Sequence, residues 1–399
     1  MHPRTSTLGH WSCLVVFLSV IGANAQTPAN LAQLDEDVVQ LEEFVVSGIA
    51  EGQAKALREQ RDAANIKSVI TSDAVGRLPD FSVGEALSRV TGVAVQKDRG
   101  EPEYIIIRGA APRLNSVALN GERLPSTADT TESVFDRSVR LNSVPTALIS
   151  TIEVTKALTP DKDADAVGGA VNLITRSPLD LDRRLTDLKL EYGFNEINDG
   201  DIYSFNLTYG DRFGEKKNWG LLVGATYQEN ERVIDEINFN YGNVSLFPSS
   251  LGVTYRGIQT IEQRIRFLDR ERQGANLQLD WEPSSGNRFF VRAFYNQFRD
   301  NEERIRIRNQ FTTDGRALAG SQTNPNIGVI DGHLTTHQDR EGYKDTATRQ
   351  FAAGGSHIDG TRKIEYSISH TTARFEVNRV QANWQNRLND LTPSQRDGV

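Results

Sequence analysis

The sequence predicts a small α+β domain followed by antiparallel transmembrane β-barrel strands, with the barrel incomplete in this chain. Three observations lead there: a leader-like start, mixed helix and strand signals over residues 65–180, and a strict two-residue alternation from Asp187 onward. The 399 residues carry 45 basic and 53 acidic side chains, a net charge of −8. That balance argues against a nucleic-acid binder, which would present a basic face. Mean hydropathy is −0.47, and no apolar run reaches the roughly 18 residues of a membrane helix. Barrel strands escape that exclusion, because their alternating residues average to neutral.

Residues 1–25 have the layout of a cleavable export signal. Arg4 supplies the positive start, residues 14–21 the apolar stretch, and Ala23-Asn24-Ala25 a small-x-small site before Gln26. Cys13 is the only cysteine and precedes the apolar stretch, so it is not placed as a lipoprotein cysteine. Cleavage after Ala25 would remove one charge, Arg4, and take the net charge from −8 to −9. The exported chain would then hold no thiol and fold without disulfides. Residues 26–64 are polar and rich in Ala and Gln apart from Phe44-Val45-Val46, and read as a flexible arm.

Between 65 and 180 the signals are mixed. Asp80 can cap a short helix running to Arg89, with Val83, Ala86, Leu87 and Val90 on its apolar side and Gly92 beyond its end. Strands are expected at 93–96 and 104–108, and another runs to Leu119 and turns at Asn120-Gly121. A helix at 144–149, a strand at 152–155, an acidic loop and a strand at 170–175 complete the α+β domain.

From Asp187 the period is two. Leu188, Leu190, Tyr192 and Phe194 form one set, and Tyr203, Phe205, Leu207 and Tyr209 a second. Trp219, Leu221, Val223, Ala225 and Tyr227 form a third, and Ala275, Leu277, Leu279 and Trp281 a fourth. Further strands are expected at 289–298, 348–357 and 363–370. Connections at 211–218, 282–288 and 358–362 are short, while those at 230–267 and 300–343 are long and polar. Tight turns at one end and long loops at the other suit a membrane barrel. Tyr and Trp near the strand ends suit the lipid headgroup level.

Two motifs with possible metal chemistry do not hold up. Asp161-Lys162-Asp163-Ala164-Asp165 starts like a calcium loop, but Ala166 and Asn172 replace its glycine and its bidentate glutamate. His333 and His337 have zinc-helix spacing but no glutamate between them and fall in an expected loop. His2, His10, His357 and His370 lie outside residues 65–180, so no histidine triad can form there. No enzyme activity, cofactor or metal is expected.

Taken together these residues resemble a TonB-dependent outer-membrane receptor. Glu43, Phe44, Val45, Val46 and Ser47, with Gly48, resemble the coupling box (TonB box) that follows the cleavage site in that family. The plug signature is carried by LSRVTGV from Leu87, Ile106-Ile107-Arg108-Gly109, and VALNGERLP from Val117. It continues in VPTALISTIEVTK from Val144 and AVGGAVNLITRSP from Ala166. One departure is Lys156-Ala157, where the family often has Arg-Gly; lysine is a point charge and cannot form a bidentate lock.

The resemblance implies a signal peptide at 1–25, a flexible arm with the TonB box at 26–64, a plug domain at 65–180 and the first part of the barrel at 181–399. It implies the inner-membrane TonB complex, outer-membrane lipid and a small-molecule ligand as partners: an iron chelate such as a siderophore, cobalamin or an oligosaccharide. Ligand contacts are expected in the plug loops 97–103, 110–116 and 126–135, at Arg99, Arg113, Asn115, Asp129 and Phe135. Arg108, Lys156, Gly168 and Gly169 are expected to meet the barrel wall. About seven strands cannot close a plugged barrel of roughly 22. The chain therefore reads as part of a longer receptor, or as a truncated remnant acting as a periplasmic binding module.

Overall fold

The first element is an α-helix where the sequence suggested a flexible arm. In the computed structural model, which describes residues 47–63, 65–71, 80–128, 136–157, 159, 166–246, 254–310, 316–317 and 334–387, helix α1 spans Ser47–Asp62. Ala, Leu, Lys, Arg, Glu and Gln are strong helix formers, so polarity there signals an exposed helix. Ala56 is buried, and Gln60 Nε2 donates to the Val69 carbonyl at 3.3 Å, fastening α1 to the strand that follows. The export signal lies outside the described residues, as do the acidic loop at 161–165 and the residues beyond 387.

Strands β1 (Lys67–Thr71), β4 (Asn115–Leu119), β5 (Glu122–Arg123), β6 (Thr151–Thr155) and β7 (Gly169–Ile174) form a five-stranded sheet in the order β1-β6-β7-β4-β5. Only the β4–β7 pair is parallel. Strands β2 (Val93–Asp98) and β3 (Glu101–Ile107) form a separate hairpin. The expected Asn120-Gly121 turn joins β4 to β5, with φ of 53° and 87°. Both positive angles are what a two-residue hairpin turn matched to strand twist requires.

Helix α2 is shorter than expected, Val83–Leu87, and its cap is Ser82 rather than Asp80. Glu85 Oε2 accepts the Phe81 N–H at 2.7 Å, while Asp80 holds Arg89. Val83, Ala86, Leu87 and Val90 are all buried, as their spacing indicated, in a core shared with Ile107, Leu141, Ile152 and Leu173. The expected helix at 144–149 is instead two 3-10 turns, Leu141–Ser143 and Thr146–Leu148. Pro145 between them lacks an N–H and disfavours α backbone at Val144.

The remaining strands build one antiparallel meander. They are β8 (Leu185–Asn195), β9 (Gly200–Phe213), β10 (Trp219–Leu246), β11 (Thr254–Ser284), β12 (Asn287–Gln310), β14 (Leu334–Asp359) and β15 (Arg362–Arg387). Their order is β15-β14-β12-β11-β10-β9-β8, and the short β13 (Arg316–Ala317) pairs with β10. Among the described residues β8 and β15 do not pair with each other, so this wall is an open sheet. The stretches expected as long loops, 230–267 and 300–343, are largely strand: β10 to β12 run 24 to 31 residues. Their charged residues still pair in register, because ladder hydrogen bonds need no apolar side chain.

The two faces of the wall differ. Leu190, Phe194, Tyr203, Val223, Leu277, Val291, Phe351 and Ile368 are exposed on one face, while Thr226, Gln228, Asn276, Gln278 and Asn296 are buried on the other. The apolar positions of that face from Trp219 to Tyr227, half-buried or exposed, span about nine residues, the length with which a strand crosses a hydrocarbon core. Near the short turns, rings meet across six strands: Phe213–Trp219 at 6.2 Å, Trp219–Trp281 at 5.1 Å, Trp281–Phe289 at 5.4 Å and His357–Tyr366 at 5.5 Å are stacked, and Phe289–His357 at 5.3 Å is edge to face. No helix among the described residues is long and apolar enough to cross a membrane.

Gly84 lies where α2 meets β3, and a Cβ there would overlap the Pro102 carbonyl. Gly84→Ala is expected to destabilise the chain by about 1–3 kcal/mol through overpacking, read as a lower denaturation midpoint.

Candidate functional site

The β2–β3 hairpin ends in Asp98-Arg99-Gly100-Glu101, with φ of 51° at Arg99 and 85° at Gly100. A left-handed arginine costs about 1–2 kcal/mol, and ion pairs offset that cost. Arg99 Nη1 meets Asp300 Oδ2 at 2.7 Å and its Nη2 meets Glu302 Oε2 at 3.0 Å, with the side chain only 7% exposed. The neighbouring Asp98 accepts Lys344 Nζ at 3.0 Å.

Glu101 is the centre of the network. It lies beside Arg270 at 3.0 Å, pairs closely with Arg272, and sits 3.7 Å from Arg232. Arg270 also reaches Asp300 at 3.1 Å. Arg272 donates from Nε to the Asn142 carbonyl at 2.9 Å and lies over the Phe298 ring at 4.3 Å. Wall register explains the convergence: Asn230, Arg270, Asp300 and Lys344 form one cross-strand row, and Arg232, Leu268 and Glu302 the next. Nearby, the buried Arg140 pairs with Glu103 of β3 and stacks on Phe375 of β15 at 4.2 Å.

Burial by itself would raise the Glu101 pKa, but Arg272, Arg270 and Arg232 outweigh it and hold the carboxyl at about 2. Asp98 follows the same pattern: Arg99 and Lys344 overcome burial and keep it at about 2. Burial lowers Arg140 to about 10, which leaves it charged at neutral pH.

The structure places several expected site residues differently. Arg99, expected in a ligand loop, is committed to the wall. Asn115 is buried, and its Nδ2 donates to the Ile105 carbonyl at 3.0 Å, so it braces the domain from within. Arg113 is exposed on the 3-10 turn Pro112–Leu114. Asp129 and Phe135 lie outside the described residues, as do Glu43, Phe44, Val45 and Val46; Ser47 begins α1.

The residues expected to meet the wall make these contacts inside the domain. Arg108 Nη1 donates to the Lys156 carbonyl at 3.0 Å, and Lys156 Nζ to Ser68 Oγ at 2.8 Å, so both bonds stay within the domain. A Cβ on Gly168 would strike Asn115 and Ala110, and one on Gly169 would strike Ile107 and Thr155, again inside it. The close approach to the wall occurs at Gly224 and Gly274, where Leu148 packs.

Sequence reasoning missed Glu101, Arg232, Arg270, Arg272, Asp300, Glu302 and Lys344. A signal existed, since Arg270 and Arg272 alternate like the strand residues after them. His337 pairs with Asp339 and stacks near Trp384; His333 is outside the described residues. No cluster able to hold a metal occurs among the described residues.

Removing one member of a buried ion cluster leaves the others uncompensated, so Glu101→Ala is expected to cost about 3–5 kcal/mol, seen as a lower melting temperature. Glu101 has its ordinary value of 4.5 when unfolded and about 2 when folded. Its contribution is therefore complete above pH 4.5 and is lost as pH falls toward 2. Asp98 adds to the same window, from 3.8 to about 2. Thermal stability should fall with acid across this range, and the Glu101→Ala chain should show a shallower fall.

The TonB-dependent Receptor Plug Domain family matches residues 59–170. Among solved structures, the ferric citrate transporter FecA in its unliganded form is similar at 13% identity and a TM-score of 0.39, covering 83% of this chain and 60% of its own. A mutant of the ferric enterobactin receptor PfeA from Pseudomonas aeruginosa is similar at 13% identity and a TM-score of 0.37, covering 84% and 59%. BauA, the ferric preacinetobactin receptor from Acinetobacter baumannii, is similar at 13% identity and a TM-score of 0.39, covering 84% and 49%. This chain thus spans about 60% or less of the length of these structures. The match identifies residues 59–170 as a plug domain of the TonB-dependent receptor kind, and in this chain that domain packs against the antiparallel wall that follows it.

Proposed function

We propose that the chain acts within an outer-membrane receptor that takes up a scarce small molecule by energy-coupled rearrangement of its plug. The observation that carries this is the buried ion network clamping the β2–β3 hairpin tip onto the polar face of the wall, whose opposite face is apolar. A polar inner face with a stopper against it and an apolar outer face are what a plugged membrane barrel requires. In this reading the work of uptake comes from a partner. Phe44-Val45-Val46 joins an aromatic to two β-branched residues, a composition that suits strand addition to the sheet edge of an inner-membrane partner, TonB.

The path of force follows the chain. A pull on residues 43–47 loads α1, then β1, which among the described residues pairs with β6 alone at the edge of the plug sheet. Peeling an edge strand breaks its ladder bond by bond, so the plug can yield without the wall moving. Arg113, exposed on its loop, remains the best placed of the proposed ligand contacts in the plug, with Asp129 and Phe135 as further candidates. The ligand is an iron chelate, cobalamin or an oligosaccharide.

A second reading makes the plug a periplasmic binding module; among the described residues β8 and β15 do not pair with each other. Cell fractionation separates the two: a receptor pellets with the outer membrane and migrates in a heat-modifiable way, and a periplasmic module stays in the periplasm.

Val45→Pro removes a ladder donor from the coupling segment. It is expected to abolish energy-dependent uptake of labelled ligand while leaving ligand binding to whole cells unchanged. Uptake that survives the substitution would contradict the coupling role.

A further inference from the structure

Beyond the hairpin tip, farther from the short turns, the plug-facing side of the wall is crowded with arginine. Arg264 and Arg266 of β11 lie an even number of residues from Arg270 and Arg272, which reach the plug, and no register shift intervenes. Arg304, Arg306 and Arg308 of β12 and Arg340 of β14 share that side. In register, Arg264 stands opposite Arg306, Arg266 opposite Arg304, and Arg304 opposite Arg340. Like charges directly across a ladder destabilise it, and here the conflict occurs three times in adjoining rows.

The nearby carboxylates fall short. Glu236, Glu262 and Glu302 serve five of the six guanidinium groups, Glu302 is shared with Arg99 of the plug, and Arg304 donates to the neutral Gln338 side chain. The Nε donors of Arg264, Arg304, Arg306 and Arg340 are buried with no acceptor among the described residues. A solvated charge run does not explain this, because Ile305 and Ile307 alternate with the arginines and point to the other face. The surplus is a half-buried set of forked donors without enough anions.

We propose that these arginine rows bind a polyanion bearing several carboxylate or phosphate groups. Planar guanidinium forks pair bidentately with both groups. Neighbouring strands are about 4.8 Å apart and alternate residues about 7 Å apart along a strand, so the ligand's anionic groups should be spaced about 5–7 Å. The proposal rests on the receptor reading for its biological setting and deepens it by naming the ligand's chemistry. The rows lie on the plug side of the wall, so the soluble polyanion is favoured over a lipid phosphate.

The test is calorimetric titration of the full chain in detergent micelles with sodium tripolyphosphate, and separately with vesicles containing lipid A. Binding of tripolyphosphate is expected, and the double variant Arg264→Gln with Arg306→Gln should weaken it about tenfold or more. Glu262→Gln, which frees Arg264, Arg306 and Arg308 from a competing carboxylate, should tighten it several-fold, a gain that misfolding cannot mimic. Arg349→Gln, on the opposite face, should leave it unchanged. No binding up to about 10 mM, equal affinity in the arginine and glutamate variants, or preference for the lipid A vesicles would overturn the proposal. A chain that fractionates with the outer membrane yet ignores tripolyphosphate removes the anion site and leaves the receptor reading standing. Binding by a chain confined to the periplasm does the reverse.

Discussion

A charge taken out of water must meet a partner of opposite sign with good geometry, or the fold that buries it does not form. Asp98, Arg99 and Glu101 at one hairpin tip satisfy that demand only through residues far along the chain. Arg99 and Asp300 are 201 positions apart, and Glu101 and Arg272 are 171 apart. These pairs specify one seat for the hairpin, because a shift of one residue along β11 would turn Arg270 and Arg272 to the other face. Hydrophobic contact adds to the docking: Leu148 packs against Gly224 and Gly274, and Phe294 joins the plug core. The ion pairs fix the position of the seat, and such bonds can be released when a chemical or mechanical bias is applied.

The wall solves two solvent problems at once. Its alternation sends Leu, Val, Tyr and Phe to one side and Asn, Gln, Thr, Asp and Arg to the other, so one ladder can separate an apolar medium from a polar interior. The row of rings from Phe213 to Tyr366 marks the edge of the apolar band near the short turns. Past Glu229 and Glu271 the strands continue with charged residues on the inner side and a mixture of charged and apolar residues, Ile237, Phe239 and Ile265 among them, on the outer. The arginine rows lie on that inner side. Glu302 joins the two regions, since one carboxylate serves Arg266 and Arg340 of the rows and Arg99 of the plug tip.

The apolar band was legible because its period-two pattern contrasts hydrophobic with polar residues, and all seven long strands fell where that contrast appears. Their extensions were not legible. In Arg304-Ile305-Arg306-Ile307-Arg308 the rhythm is intact, but its average polarity is that of a loop. Helix α1 was missed for the opposite reason, since its helix formers bury little and so resemble unstructured chain. The Asn120-Gly121 turn was found from its composition, while Arg99-Gly100 adopts the same backbone without the usual asparagine. The site was the least legible part. Arg108, Lys156 and Asn115 look available in one dimension and are spent inside the domain, while Glu101 gains its role only from partners on other strands.

The central claim is that buried ion pairs, above all Glu101 with Arg272, seat the plug on the wall. A double-mutant cycle joining Glu101→Ala and Arg272→Ala, read by unfolding of the full chain in micelles, tests it most directly. The account predicts a coupling of about 1–3 kcal/mol; losses that simply add would show that the two side chains do not hold the plug together and would contradict it.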